Sequence, residues 1–400
     1  MGIIYNEQTE IFDTTWPIKK NIEYTTNKDE NVFHIPSPPF INEIHQFIDA
    51  VTKAKPAFQH TYIEIYGYLH RLLGRNFLED NSQGYDIVRL PNGQLDFTSK
   101  LKSFYTSDNS YDNLYLATKQ LKYFKEYINI HSPKTELYFI IRPTKRYGEL
   151  PYSIGNNIKN KYTSKNFIDD LKAINYHILN LDTITKNRYT AFYNTDHHWR
   201  VEYAFSQLPI ICDFLGIESN IYSSQNFKLI NTNRQFNGSL TRRTGISFTT
   251  LKDTFKYYIP LFNTSITADY YSNNKIIRRR GRLEQTLLFT ENLSFNNWDN
   301  NLYRICNQSE NPLVHIINHH TDSDQKILLL IDSFSAPIIP YLSISFKQLD
   351  CIDLRSCNIK ILYTIIDENK YDKVIFLYPS YYEEKLYCLN EVYTFNYPNL

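Results

Sequence analysis

The chain has 400 residues, enough for one large domain or two medium ones with an ample apolar core. Its 43 basic and 42 acidic residues leave a net charge of +1, which excludes a fold that binds nucleic acid by overall charge. Cys212, Cys306, Cys351, Cys357 and Cys388 are odd in number and form no CxxC pair, which argues against a disulfide framework and fits a reducing compartment. No stretch reaches the roughly 18 apolar residues of a membrane span. The start, Met1 to Glu7, lacks a basic segment followed by an apolar one, so a cytoplasmic location is expected, or export if a leader is missing from this chain. The 34 Tyr and 25 Phe suit carbohydrate surfaces, although an AT-rich coding composition accounts for most of them.

In chain order, residues 1 to about 55 are polar and Pro-interrupted, and read as an arm laid on the body. Tyr62 to Leu73 has helical spacing and Gly74 stops it. Asp86 to Leu90 followed by Pro91-Asn92-Gly93-Gln94-Leu95 reads as a hairpin turning at Asn-Gly. Tyr111 to Ile128 is an amphipathic helix, and Glu136 to Arg142 a core strand ended by Pro143. Phe167 to Ala173 and Tyr176 to Leu181 supply a further helix and strand, and Val201 to Leu215 one helix stopped at Gly216. The last third alternates again, with a strand ending at Ser333, strands at Cys351 to Leu354 and at Lys373 to Tyr378, and a helix at Ile359 to Ile366. Such alternation predicts an α/β fold with a mainly parallel central sheet and helices on both faces.

Residues 220 to 320 break this rhythm and read as an insertion, partly strand. Arg242 and Arg243 lie there, as do Lys275 and the run Arg278-Arg279-Arg280-Gly281-Arg282. Such clusters form either a solvated face or an anion site, since guanidinium forks suit phosphate and carboxylate. No Gly-rich phosphate loop is present. His315, His319 and His320 read as an edge loop rather than a metal site.

Two stretches carry chemistry. Ile327-Leu328-Leu329-Leu330-Ile331 is a short continuous apolar run, the pattern of a strand buried on both faces, and it stops at Asp332-Ser333-Phe334-Ser335. Ile338 to Phe346 then reads as a helix with Pro337 at its opening. Ser333 is therefore either a nucleophile at the carboxyl end of a central strand or, with Ser335, a helix cap. The second stretch is Thr195-Asp196-His197-His198-Trp199. A serine nucleophile needs a base and the base a carboxylate, and Asp196 and His198, two apart, can point to one side. A surface loop is the plain alternative. A metal site is disfavoured, because adjacent histidines splay and no further ligand lies at suitable spacing.

Taken together, Asp196-His197-His198-Trp199 and Asp332-Ser333-Phe334 resemble the DHHW family, relatives of the alginate O-acetyltransferases in the SGNH-hydrolase-like superfamily. Asn92-Gly93-Gln94-Leu95, Phe236-Asn237-Gly238-Ser239 and Ile352-Asp353-Leu354-Arg355 are weaker matches, and Ile331 stands where the family usually has Gly. The resemblance spans roughly residues 85 to 380 and implies a three-layer SGNH-hydrolase-like fold. It also implies a triad with Ser333 as nucleophile, His198 as base and Asp196 as its orienter, passing an acetyl group to hydroxyls of a bacterial surface polysaccharide such as a capsule. Oxyanion donors would come from the Ser333 and Gly238 N–H groups or Asn237, and substrate contacts from Trp199, Arg242, Arg243, Arg278, Arg279, Arg280 and Arg282. No bound cofactor or metal is expected. The donor would be acetyl-CoA or a membrane donor protein, and peripheral association with a polysaccharide assembly complex is a further expected partnership. An acetylesterase with the same triad and a non-catalytic glycan-binding assembly protein are the alternatives. The expected organisation is an arm and helix over 1–80 packed on a catalytic domain over 81–400, with 220–320 inserted over the active-site face.

Overall fold

The computed structural model describes residues 59–78, 85–99, 110–145, 164–272, 275–294, 298, 300–306, 311–357 and 359–379. The expected N-terminal arm lies outside them. The strands are β1 (Phe77–Leu78), β2 (Tyr85–Arg89), β3 (Leu95–Ser99), β4 (Glu136–Ile141), β5 (His177–Asn180), β6 (Phe227–Phe236), β7 (Asp253–Pro260), β8 (Ile266–Ser272), β9 (Lys275–Gly281), β10 (Leu313–Asn318), β11 (Lys326–Ile331), β12 (Gln348–Asp353) and β13 (Lys373–Tyr378). Among the described residues, eight strands form one sheet in the order β5-β4-β13-β11-β12-β10-β8-β9. The pairings from β5 to β12 are all parallel, and those from β12 outward to β9 are antiparallel.

The apolar run of β11 is divided between two cores. Ile327, Leu329 and Ile331 enter one core with Trp199, Phe205, Phe346 and the β6–β7 ribbon. Leu328 and Leu330 enter the other, beneath the helices Ser110–His131, Ser164–Ala173 and Ile359–Asn369. Each such side chain contributes roughly 1.5–3 kcal/mol by leaving water, so strand, register and the position of Ser333 are strongly coupled. In Ser110–His131 the inward stripe is Ala117, Leu121, Phe124 and Ile128, at helical spacing. The architecture is thus α/β in three layers, with a central sheet that is parallel around β11.

Three expectations change in the structure. Val201 to Leu215 is two helices, Val201–Ser206 and Leu208–Phe214, because Pro209 has no N–H to continue the first and fits the opening turn of the second. Ile338 to Phe346 is not one helix but a short helix, Ile339–Leu342, between 3-10 turns at Ser333–Ser335 and Ser343–Ser345. Pro337 and Pro340 remove two donors three residues apart, and Ile338, Ile339, Tyr341, Leu342, Ile344 and Phe346 are all buried, so the segment threads the core. Finally, residues 220–320 do not all form an insertion, since β8, β9 and β10 extend the central sheet itself.

Candidate active site

The turn after β11 presents Ser333. Asp332 caps it, its Oδ1 accepting the Phe334 N–H at 2.9 Å, so the cap expected from Ser333 or Ser335 is supplied by the aspartate. Arg142, fully buried at the end of β4, donates from Nε to Asp332 Oδ2 at 3.2 Å and lies 3.6 Å over the Phe334 ring. The Tyr378 hydroxyl, at the end of β13, donates to the Ile331 carbonyl at 2.7 Å. The carboxyl ends of three parallel strands therefore brace the serine turn.

The Asp-His-His stretch is a tight loop closed by a bridge between Phe192 and Trp199 and by Tyr193 N–H donating to the His198 carbonyl at 3.2 Å. Asp253, at the start of β7, accepts from Asn194 N at 3.0 Å, Thr195 N and Thr195 Oγ1 at 2.7 Å each, and Arg200 at 2.9 Å. Lys145 donates to the carbonyls of Tyr193 at 2.7 Å, Asp196 at 2.9 Å and Leu95. Burial pushes the Lys145 ammonium down to about 8, against the pull of Asp96, Asp253 and Asp196. The Asn-Gly hairpin, with Gly93 at φ +87°, delivers Gln94 to Asn194 Oδ1 at 2.9 Å and the Leu95 N–H to the Asn194 carbonyl at 2.8 Å.

Asp196 Oδ1 lies 2.6 Å from His198 Nδ1, and His198 Nε2 lies 2.8 Å from Ser333 Oγ. Burial would raise the Asp196 pKa, but His198, His197, the His198 hydrogen bond and the Ser239 N–H outweigh it and hold it well below the usual range. The carboxylate can only accept, so Nδ1 donates and Nε2 is left to accept the Ser333 hydroxyl proton. The two histidines do not splay as expected: the His197 ring lies 3.9 Å from that of His198 and 4.9 Å from that of Phe97, with its Nδ1 3.0 Å from Ser239 Oγ and 3.4 Å from Asp196 Oδ1. Among the described residues Asp196, His197 and His198 are the group close enough to share a metal ion. In this arrangement both Asp196 oxygens and both His198 nitrogens hold protein partners, so the geometry suits proton transfer.

The other expected site residues fare differently. A Cβ on Gly238 would lie 2.3 Å from the Thr195 carbonyl oxygen, so only glycine lets this loop reach Asp196. The Gly238 N–H is spent on Thr195 Oγ1 at 3.1 Å and is not free for an oxyanion, while Asn237 Nδ2 uses one of its two hydrogens on the Trp298 carbonyl at 3.0 Å. The next residue, Ser239, donates its N–H to Asp196 Oδ2 at 2.6 Å. Trp199 is fully buried, with Nε1 donating to the Phe334 carbonyl at 2.7 Å, and braces the site rather than facing a substrate. Arg243 stacks over Phe97 at 5.5 Å and so stands beside the His197 wall, with Arg242 next to it on Thr241–Thr244. Arg278, Arg279 and Arg280 lie on β9, four strands from β11, roughly 19 Å away. They are engaged there with Asp269, Glu291 and Thr267, and Arg282 with Glu284. His315 lies within β10, inside the central sheet rather than in an edge loop, with its Nδ1 against Asp350 of β12, and His319, just after β10, pairs with Thr267 of β8. Sequence reading missed Lys145 and Asp253, whose roles arise from contacts between distant segments, and it noted Ser239 only as part of a weaker motif match, without its contact to Asp196.

No protein-family model matches the chain, and no curated protein does. Among solved structures it is similar to Bacillus cereus PatB1 with a sulfonyl adduct, with a TM-score of 0.59 and 17% identity over 76% of this chain and 97% of that one. A second PatB1 structure gives 0.54 and 18% over the same shares. A DHHW family protein from Eubacterium siraeum gives 0.51 and 17%, over 79% of this chain and 97% of that one. The chain therefore has the fold of these proteins, which is the fold that the resemblance of its two motifs to the DHHW family implied.

Proposed function

We propose that the chain is a carbohydrate O-acetyltransferase acting by covalent catalysis on hydroxyls of a bacterial polysaccharide. The observation that carries this reading is the continuous line Asp196–His198–Ser333, with hydrogen bonds of 2.6 and 2.8 Å. Ser333 Oγ attacks the carbonyl carbon of an acetyl thioester or ester as its proton passes to His198 Nε2. The tetrahedral adduct collapses, the bond to the donor's leaving group breaks, and that group takes the proton from Nε2. A sugar hydroxyl then attacks the acetyl-serine, gives its proton to Nε2, and the proton returns to Ser333 as the acetylated sugar leaves. Asp196 stays ionised throughout and stabilises the imidazolium. The Ser333 N–H, at the head of the turn, is the candidate oxyanion donor.

The shared fold with a PatB1 structure that carries a sulfonyl adduct supports a reactive nucleophile, and the motif resemblance to relatives of the alginate O-acetyltransferases supports acetyl as the cargo. The test is mass spectrometry of unmodified glycans incubated with the protein and an acetyl donor such as acetyl-CoA. The expected result is acetylated glycan, dependent on Ser333. Free acetate with no acetylated glycan would instead assign the triad to an esterase.

A further inference from the structure

In the acyl-serine reading His198 carries positive charge at the moment of reaction, and the structure surrounds it with aromatic rings as well as the Asp196 carboxylate. Tyr303 lies nearly parallel to the imidazole, with centroids 4.3 Å apart and planes 21° apart. Phe334 is tilted at 49° and 4.6 Å, and His197 at 37° and 3.9 Å. The two neighbouring phenyl-type rings differ in what else they face. Phe334 already carries the Arg142 guanidinium 3.6 Å from its centroid, so its π-face is committed to a permanent cation. Tyr303 meets its other neighbours edge-on, Tyr193 at 87° and Phe255 at 82°, and its flat face is given to His198. Its backbone is fixed by the turn Leu302–Ile305, which Asn301 caps. The Tyr303 hydroxyl is buried and has no hydrogen-bond partner among the described residues, so its contribution lies in the ring.

We propose that Tyr303 is a positioning residue for acyl transfer: its π-face stabilises the His198 imidazolium and holds Nε2 on the line to Ser333. This rests on the acyl-serine reading above. A ring face attracts a desolvated cation, and the attraction is absent while His198 is neutral. The interaction therefore strengthens on the way to the transition state and should act on the acylation rate rather than on binding.

The test is a set of variants assayed for the first-turnover release of nitrophenol from p-nitrophenyl acetate. Tyr303→Leu should lower the acylation rate about tenfold with KM little changed. Tyr303→Phe, which keeps the ring, should restore the rate. Because Tyr303→Leu can fail to fold, the decisive series incorporates phenylalanines with increasing fluorine content at this position, which weakens the π-face at nearly constant shape. The logarithm of the acylation rate should fall stepwise with fluorination. A flat series, or a loss in Tyr303→Phe as large as in Tyr303→Leu, overturns the proposal. Ser333→Ala run alongside separates the two claims: persisting turnover would remove the acyl-serine reading, whereas abolished turnover with a flat fluorine series removes only the role of Tyr303.

Discussion

Trp199 and Phe334 are joined by one hydrogen bond: the indole Nε1 donates to the Phe334 carbonyl at 2.7 Å across 135 positions of sequence. The residue after the histidine thus holds the residue after the serine. The 2.8 Å approach of His198 to Ser333 depends on this coupling of two loops that belong to different parts of the fold.

Trp199→Phe keeps an aromatic ring but leaves the buried Phe334 carbonyl without its donor. The expected cost is about 1–3 kcal/mol of unfolding free energy in a denaturant titration. A misplacement of the histidine by a fraction of an ångström should also lower kcat about tenfold or more, with KM changed less. Unchanged stability and kcat would show that the two loops are held by other contacts.

Gly238→Ala places a methyl group 2.3 Å from the Thr195 carbonyl oxygen and 2.5 Å from Asp196 Cβ. The loop must retreat, and the Ser239 N–H that donates to Asp196 Oδ2 at 2.6 Å retreats with it. Stability should fall by about 1–3 kcal/mol, and ester turnover should fall together with it. Wild-type turnover in this variant would argue that Asp196 does not need that donor.

These relationships explain what could be read from the chain and what could not. Asp196, His198 and Ser333 are legible because their types are rare together and because the apolar run before Ser333 has one structural meaning. Asp253 and Lys145 are not legible. They reach the loop across 58 and 51 positions, and nothing local distinguishes them from ordinary polar residues. The arginine run shows the opposite problem. In sequence it is one cluster, but in β9 alternate side chains leave by opposite faces, so Arg278 pairs with Asp269 while Arg279 turns to Glu291 and Phe289. Residues 220–320 misled for a related reason: β9 is polar and exposed because it is the edge strand, and β8, though largely buried and paired on both sides, carries Thr267, Asp269 and Ser272 among its apolar residues.

Lys145 gives the fold a pH dependence of definite sign. Its folded pKa is lowered from 10.5 to about 8, so the unfolded chain binds more protons between those values. Unfolding free energy contributed by this group therefore rises as pH increases from about 8 to 10.5, and the penalty for its buried charge is fully present below pH 8. The stability difference between wild type and Lys145→Met should grow in favour of wild type across that window. A difference that is flat or shrinks with pH would mean that Lys145 is not desolvated as its surroundings require.

The most direct test of the account is to identify the acylated residue. The protein is quenched within the first turnover of p-nitrophenyl acetate or acetyl-CoA, digested, and mapped by mass spectrometry. The account predicts one acetyl group on Ser333, absent in Ser333→Ala and strongly reduced in His198→Ala, which has lost the base. Acetyl on a different residue, or full turnover by Ser333→Ala, would contradict it.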